Sequence, residues 1–106
     1  MLTPPQLCKC LGDDLRLSLV CLLHGQGEVC VCDLVDAVCA PQSTVSRHLA
    51  QLRQCDLVVA RRQGTWMHYR INPALPAWAN KTLKQLVPAA REALALNESA
   101  ATCCEN

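Results

Sequence analysis

At Leu57 the hydrophobic period of this 106-residue chain changes. Before it, apolar residues recur at helical spacing. After it, Leu57-Val58-Val59-Ala60 and Trp66-Met67-His68-Tyr69-Arg70-Ile71 are strand-like runs separated by Arg62-Gln63-Gly64-Thr65. The glycine supplies the turn, so the segment predicts a β-hairpin. A helical chain carrying one hairpin is a mainly α domain, and nothing resembling a linker divides it. Asn72-Pro73 ends the second strand, and a last helix is expected from about Leu75. Pro88 lies within that helix and should kink or split it, because proline removes a backbone donor and clashes with the preceding turn.

The helices before the hairpin are signalled by their caps. Thr3-Pro4-Pro5 opens a short helix through about Cys10. Asp13 caps a second helix, with Leu15, Leu19, Leu22 and Leu23 on its inner face, which stops at Gly25-Gln26-Gly27. Glu28-Val29-Cys30-Val31-Cys32 then leads into a short helix from about Asp33 to Val38. Ala40-Pro41-Gln42 turns into another, Gln42 to Gln54, whose Val45, Leu49 and Leu52 form one buried stripe. These last two make a helix-turn-helix over 33–54, and the hairpin over 57–71 follows it as a wing.

Hydrophobic residues make up 51% of the chain, but its aromatic residues are only Trp66, Tyr69 and Trp78. The core must be aliphatic, and so much aliphatic surface in a small domain points to a dimer. Net charge is +1, yet residues 42–70 hold Arg47, Arg53, Arg61, Arg62 and Arg70 against the single acid Asp56. A basic stretch on a near-neutral chain is a footprint for phosphate. With its apolar stripe turned inward, the second helix leaves Gln42, Ser43, Thr44, Ser46, Arg47 and His48 for a DNA groove. Arg suits guanine, Gln adenine, and Ser or Thr either base. Arg61 and Arg62, near the wing tip, are placed for flanking phosphate.

Nine cysteines are present. Their odd number, and an amino terminus without the basic and apolar regions of a signal peptide, argue against a secreted disulfide scaffold. No stretch approaches the ~18 uninterrupted apolar residues of a membrane span. The expectation is a cytoplasmic protein with reduced thiols. Cys30 and Cys32 fall at the start of the helix before the recognition helix, where open amides and the helix dipole favour thiolate. Thiolates select soft ions. Cys103-Cys104 is a second pair, adjacent in a tail (97–106) beyond the last helix. Cys8 occupies an apolar slot, Cys10 is a weaker candidate ligand, and Cys21 and Cys55 read as packing residues. No nucleophile constellation or phosphate loop suggests an enzyme or an organic cofactor.

The runs Glu28-Val29-Cys30-Val31-Cys32-Asp33-Leu34, Ser46-Arg47-His48-Leu49, Leu52-Arg53 and Gln63-Gly64-Thr65-Trp66-Met67-His68-Tyr69-Arg70 resemble the ArsR/SmtB family of metal-responsive repressors. The similarity covers about residues 5–80 and is greatest to the arsenite- and antimonite-sensing branch. The resemblance implies a winged helix-turn-helix, a homodimer through its first and last helices (the latter 75–96), and repression of resistance genes by the metal-free dimer on double-stranded operator DNA. It also implies that As(III) or Sb(III), favouring three thiolates, releases that DNA. The branch's third cysteine falls here at Val35, so the usual site is incomplete. Cys39 lies about 10 Å along from Cys32 at ~1.5 Å rise per residue, too far to share an ion with it unless the helix unwinds. The metal candidates are therefore Cys103, Cys104, Cys30 and Cys32. The Asp and His ligands of the zinc-sensing branch have no counterpart, since residues 75–106 contain neither. A cadmium or lead sensor, a thiol-redox repressor and a metal-sequestering protein are the competing readings; the recognition helix and basic wing speak against the last.

Overall fold

The computed structural model describes residues 2–94, in five helices and three short strands. Helix α1 (Pro4–Leu11) starts from a capping box, in which Thr3 Oγ1 accepts from the Gln6 amide and Gln6 Oε1 accepts from the Thr3 amide. Helix α2 (Asp14–Gln26) is capped by Asp13, whose carboxylate accepts from the Arg16 amide at 3.1 Å. A two-residue strand β1 (Val29–Cys30) leads directly into α3 (Val31–Val38), and α4 (Gln42–Gln54) follows. The wing is β2 (Val58–Gln63) and β3 (Trp66–Ile71), and α5 (Ala77–Ala93) closes the described chain.

The two wing strands pair antiparallel from Val58 opposite Ile71 to Gln63 opposite Trp66. The turn is thus tighter than the sequence suggests. Arg62 and Gln63 remain in the strand, and Gly64, at φ +63, takes the left-handed position beside Thr65. Strand β1 adds to the other edge of β3, giving the order β1-β3-β2, with Val29 opposite Tyr69 and Cys30 opposite His68. Two residues carry too little periodicity to mark a strand, so the sequence gives no sign of β1.

The core is aliphatic, as expected. Leu19, Leu22, Leu23, Leu34, Leu49, Leu52, Leu57 and Leu83 are all but wholly buried, and Tyr69 is its aromatic member. Among the described residues no polar or charged residue is buried. Helix α2 runs through the centre, packed on α1, α3, α4, α5 and β3. Arg91 of α5 crosses Gly25 to donate to the Cys21 carbonyl at 2.7 Å. A side chain at Gly25 would collide with that guanidinium. Pro88 does not split α5, which runs unbroken from Ala77 to Ala93. The residue is exposed, so the carbonyl it deprives of a partner can turn to water. Among the described residues no helix is long and apolar enough to cross a membrane.

Candidate nucleic-acid interface and thiol sites

Val45, Leu49 and Leu52 turn inward and fix the roll of α4. Gln42, Ser43 and Arg47 are left exposed, while Thr44, Ser46 and His48 are half-buried at the flanks. Pro41 is the N-cap and offers no side-chain hydrogen bond, so the first amides of α4 remain open to an anion such as DNA phosphate. Arg47 has no carboxylate partner among the described residues, and its guanidinium is available to a base edge.

The other candidate cations differ in their engagements. Arg61 is held by Glu28 in a two-pronged ion pair, with Nε at 3.1 Å and Nη2 at 2.6 Å from the carboxylate oxygens. That pairing, chiefly the hydrogen bond from Arg61, draws the Glu28 carboxyl below its ordinary range. Arg62, one residue nearer the tip, stands exposed opposite Met67 with no such partner among the described residues. The wing's unengaged tip cation is therefore Arg62. His48 is also engaged: its Nδ1 lies 3.2 Å from Arg16 Nη1. The same guanidinium donates to Gln51 Oε1 at 2.6 Å and, through Nε and Nη2, to the Cys10 and Lys9 carbonyls. Arg16 thus straps the end of α1 to the outer face of α4. Sequence patterning gives no sign of this, because the three segments meet only in the fold.

Cys30 is the N-cap of α3 and Cys32 lies in its first turn, with their Sγ atoms 2.9 Å apart. Both are free, half-buried thiols. The expectation that the helix start would favour thiolate at both is corrected for Cys32, whose thiol is pushed up. The hydrogen bond with Cys30 is the main cause, followed by burial and by repulsion from Cys30 and Asp33. At this separation the second proton is held by the first sulfur, which outweighs the helix dipole. Val35 is half-buried at the position one turn on. Cys39 is not on the helix but caps it, in the left-handed region at φ 55. Among the described residues no three Cys, His, Asp or Glu side chains gather as a metal site. Cys103 and Cys104 lie outside the described residues.

The roles expected for the other thiols are partly reversed. Cys8, assigned an apolar slot, is exposed, whereas Cys10 is half-buried against the core. Cys21 is fully buried, as a packing residue should be. Cys55 is buried too, but it is more than filler, since its Sγ lies 2.8 Å from that of Cys10.

A recognition helix with open amides and an unpaired arginine, followed by a basic hairpin, defines a winged-helix DNA-binding protein. Residues 13–59 match the family described as bacterial regulatory protein, arsR family. The chain is 50% identical over 84 residues to the arsenical resistance operon repressor of Escherichia coli, covering 79% of this chain and 72% of that protein. It is 45% identical over 92 residues to the arsenic resistance transcriptional regulator ArsR1 of Pseudomonas putida, covering 87% and 72%. The crystal structure of the AntR antimony-specific transcriptional repressor superposes with a TM-score of 0.65 at 33% identity, over 80% of this chain and 74% of that one. The chain belongs to the arsR family of winged-helix transcriptional regulators.

Proposed function

We propose that this protein is a repressor of metalloid-resistance genes, binding operator DNA as a homodimer and released by As(III) or Sb(III) captured on cysteine thiols. The observation that carries the reading is the Cys30–Cys32 pair, 2.9 Å apart at the start of α3, the helix packed directly against α4. A trivalent metalloid taking both sulfurs must spread them and draw on the first turn of α3, so the strain reaches the reading helix in one step. The relatives' names, an arsenical resistance operon repressor and an antimony-specific repressor, support the inducer class. Gln42, Ser43 and Arg47 read the groove, with Thr44, Ser46 and the Arg16-bound His48 at its flanks, and Arg62, with Arg61 behind it, meets phosphate. The third sulfur must come from outside α3, and Cys103 and Cys104 are the second thiol pair that this reading carries. No part of it calls for catalysis.

The test is fluorescence anisotropy of labelled operator during antimonite and arsenite titration of reduced protein. Wild type should release DNA, while cadmium and zinc at equal concentration should not. Cys30→Ser with Cys32→Ser, and separately Cys103→Ser with Cys104→Ser, should each impair release and leave metal-free DNA binding intact. Full release from either double variant at wild-type antimonite levels would remove that pair from the sensor. Failure of both metalloids to act on wild type would end the reading.

A further inference from the structure

A second thiol pair lies away from α3. Cys10, near the end of α1, and Cys55, the C-cap of α4, are 45 positions apart in sequence, with sulfurs 2.8 Å apart. The pair lines a cleft of about 510 Å³, together with Gln6, Lys9, Arg16, Gln51 and Gln54. Among the described residues no third sulfur lines that cleft. Cys8 is exposed two positions from Cys10 on α1, and so points to a different side of the helix. The fold therefore offers two sulfurs and open space. Burial, then the hydrogen bond with Cys55, pushes the Cys10 thiol up to about 12, so it keeps its proton at neutral pH. A divalent soft cation would have to displace the Cys10 proton. An electrophile whose own leaving group carries that proton away meets no such cost.

We propose that Cys10 and Cys55 form a second ligand site, specific for a trivalent arsenical bearing one carbon substituent, with that substituent lodged in the cleft. The proposal rests on the metalloid reading above and extends it from the inorganic ion to an organic one. Such an arsenical has two exchangeable As–OH groups. At each, an As–O bond breaks and an As–S bond forms, and the thiol proton leaves with the hydroxide as water. Two waters depart, the As–C bond stays, and arsenic remains trivalent, so no oxidant is needed. Inorganic arsenite, with three exchangeable oxygens, would find no third sulfur here among the described residues.

The probe is phenylarsine oxide, added to the reduced full-length protein, followed by intact mass measurement and tryptic mapping without added thiol. Trypsin cuts after Lys9, Arg16, Arg53 and Arg61, leaving Cys10 on peptide 10–16 and Cys55 on peptide 54–61. The expected result is these two peptides joined through one phenylarsenic group. Cys10→Ser should bind one arsenical fewer per chain than wild type. Phenylarsenic found only on other cysteines would overturn the proposal, as would the two peptides joined by a disulfide without arsenic. Mapping of wild type needs no substitution, so a variant that fails to fold does not blunt the test. Operator release by arsenite and antimonite is followed in parallel. Its failure would remove the inorganic sensor reading, whereas the bridged peptides decide this site alone.

Discussion

Arg47 and Arg62 are alike in charge and exposure but differ in what they can report. Arg47 projects from the reading helix, so Arg47→Ala should weaken operator binding by about 1–3 kcal/mol and relax base preference. Arg62 lies on the wing, so Arg62→Ala should weaken binding to all sequences alike and reduce the salt slope by about 1. Anisotropy against operator and scrambled duplex, at several salt concentrations, separates the two. Wild-type affinity in Arg47→Ala would refute the assignment of α4 as the reading helix. Asp13 marks a structural residue by contrast. The Arg16 amide it accepts holds its carboxyl below the ordinary 3.8. With the folded pKa depressed, its stabilisation is complete above the unfolded value and is lost as pH falls through the folded one. Asp13→Ala should cost about 1 kcal/mol at pH 7, and urea unfolding should show the gap to wild type narrowing below about pH 4.

Among the elements, those with strong periodicity or caps were legible in the sequence. Helices α1 and α2 begin and end within a residue or two of their cap signals, because Thr3, Asp13 and Gly27 act locally, and α4 follows its Val45, Leu49 and Leu52 stripe. The hairpin was legible too, apart from its turn, where the Gly64-Thr65 pair suffices and the strand runs on to Gln63. What escaped notice depends on residues distant in sequence. Strand β1 exists only because β3 has a free edge, the Cys10–Cys55 pair only because α1 meets the end of α4, and the Glu28–Arg61 bridge only because β1 lies on the wing sheet. Arg16 is the most consequential of these long-range devices. Arg16→Ala deletes four hydrogen bonds from α2, two to the end of α1 and two to α4. It should destabilise the protein by about 1–3 kcal/mol, read as a lowered urea midpoint. It should also weaken operator binding through a looser α4. Unchanged values of both would show that the strap is solvated away in solution.

At the scale of the whole molecule, one winged helix offers a single reading helix, too few base contacts for a specific operator. The surface left outside the aliphatic core includes Trp78, 36% exposed at the start of α5, on an element with only one face packed against α2. A dimer formed there would set the spacing of the two reading helices, and its two-fold axis would be mirrored in the DNA. Footprinting should therefore find an imperfect inverted repeat with half-site centres about one helical turn, or a small multiple, apart, and sedimentation should find two chains per operator. A single asymmetric half-site with one chain bound would defeat this arrangement. Thermodynamic linkage would tie the two proposed ligands together. If a metalloid lowers operator affinity by a given factor, operator must lower metalloid affinity by the same factor, with a coupling of typically ~1–3 kcal/mol. Titrating antimonite into protein alone and into protein saturated with operator should give binding curves displaced by the factor seen in the release experiment. Equal metalloid affinity in both samples, beside genuine release of DNA, would mean that the released species is damaged or oxidised protein rather than a ligand-bound state in equilibrium.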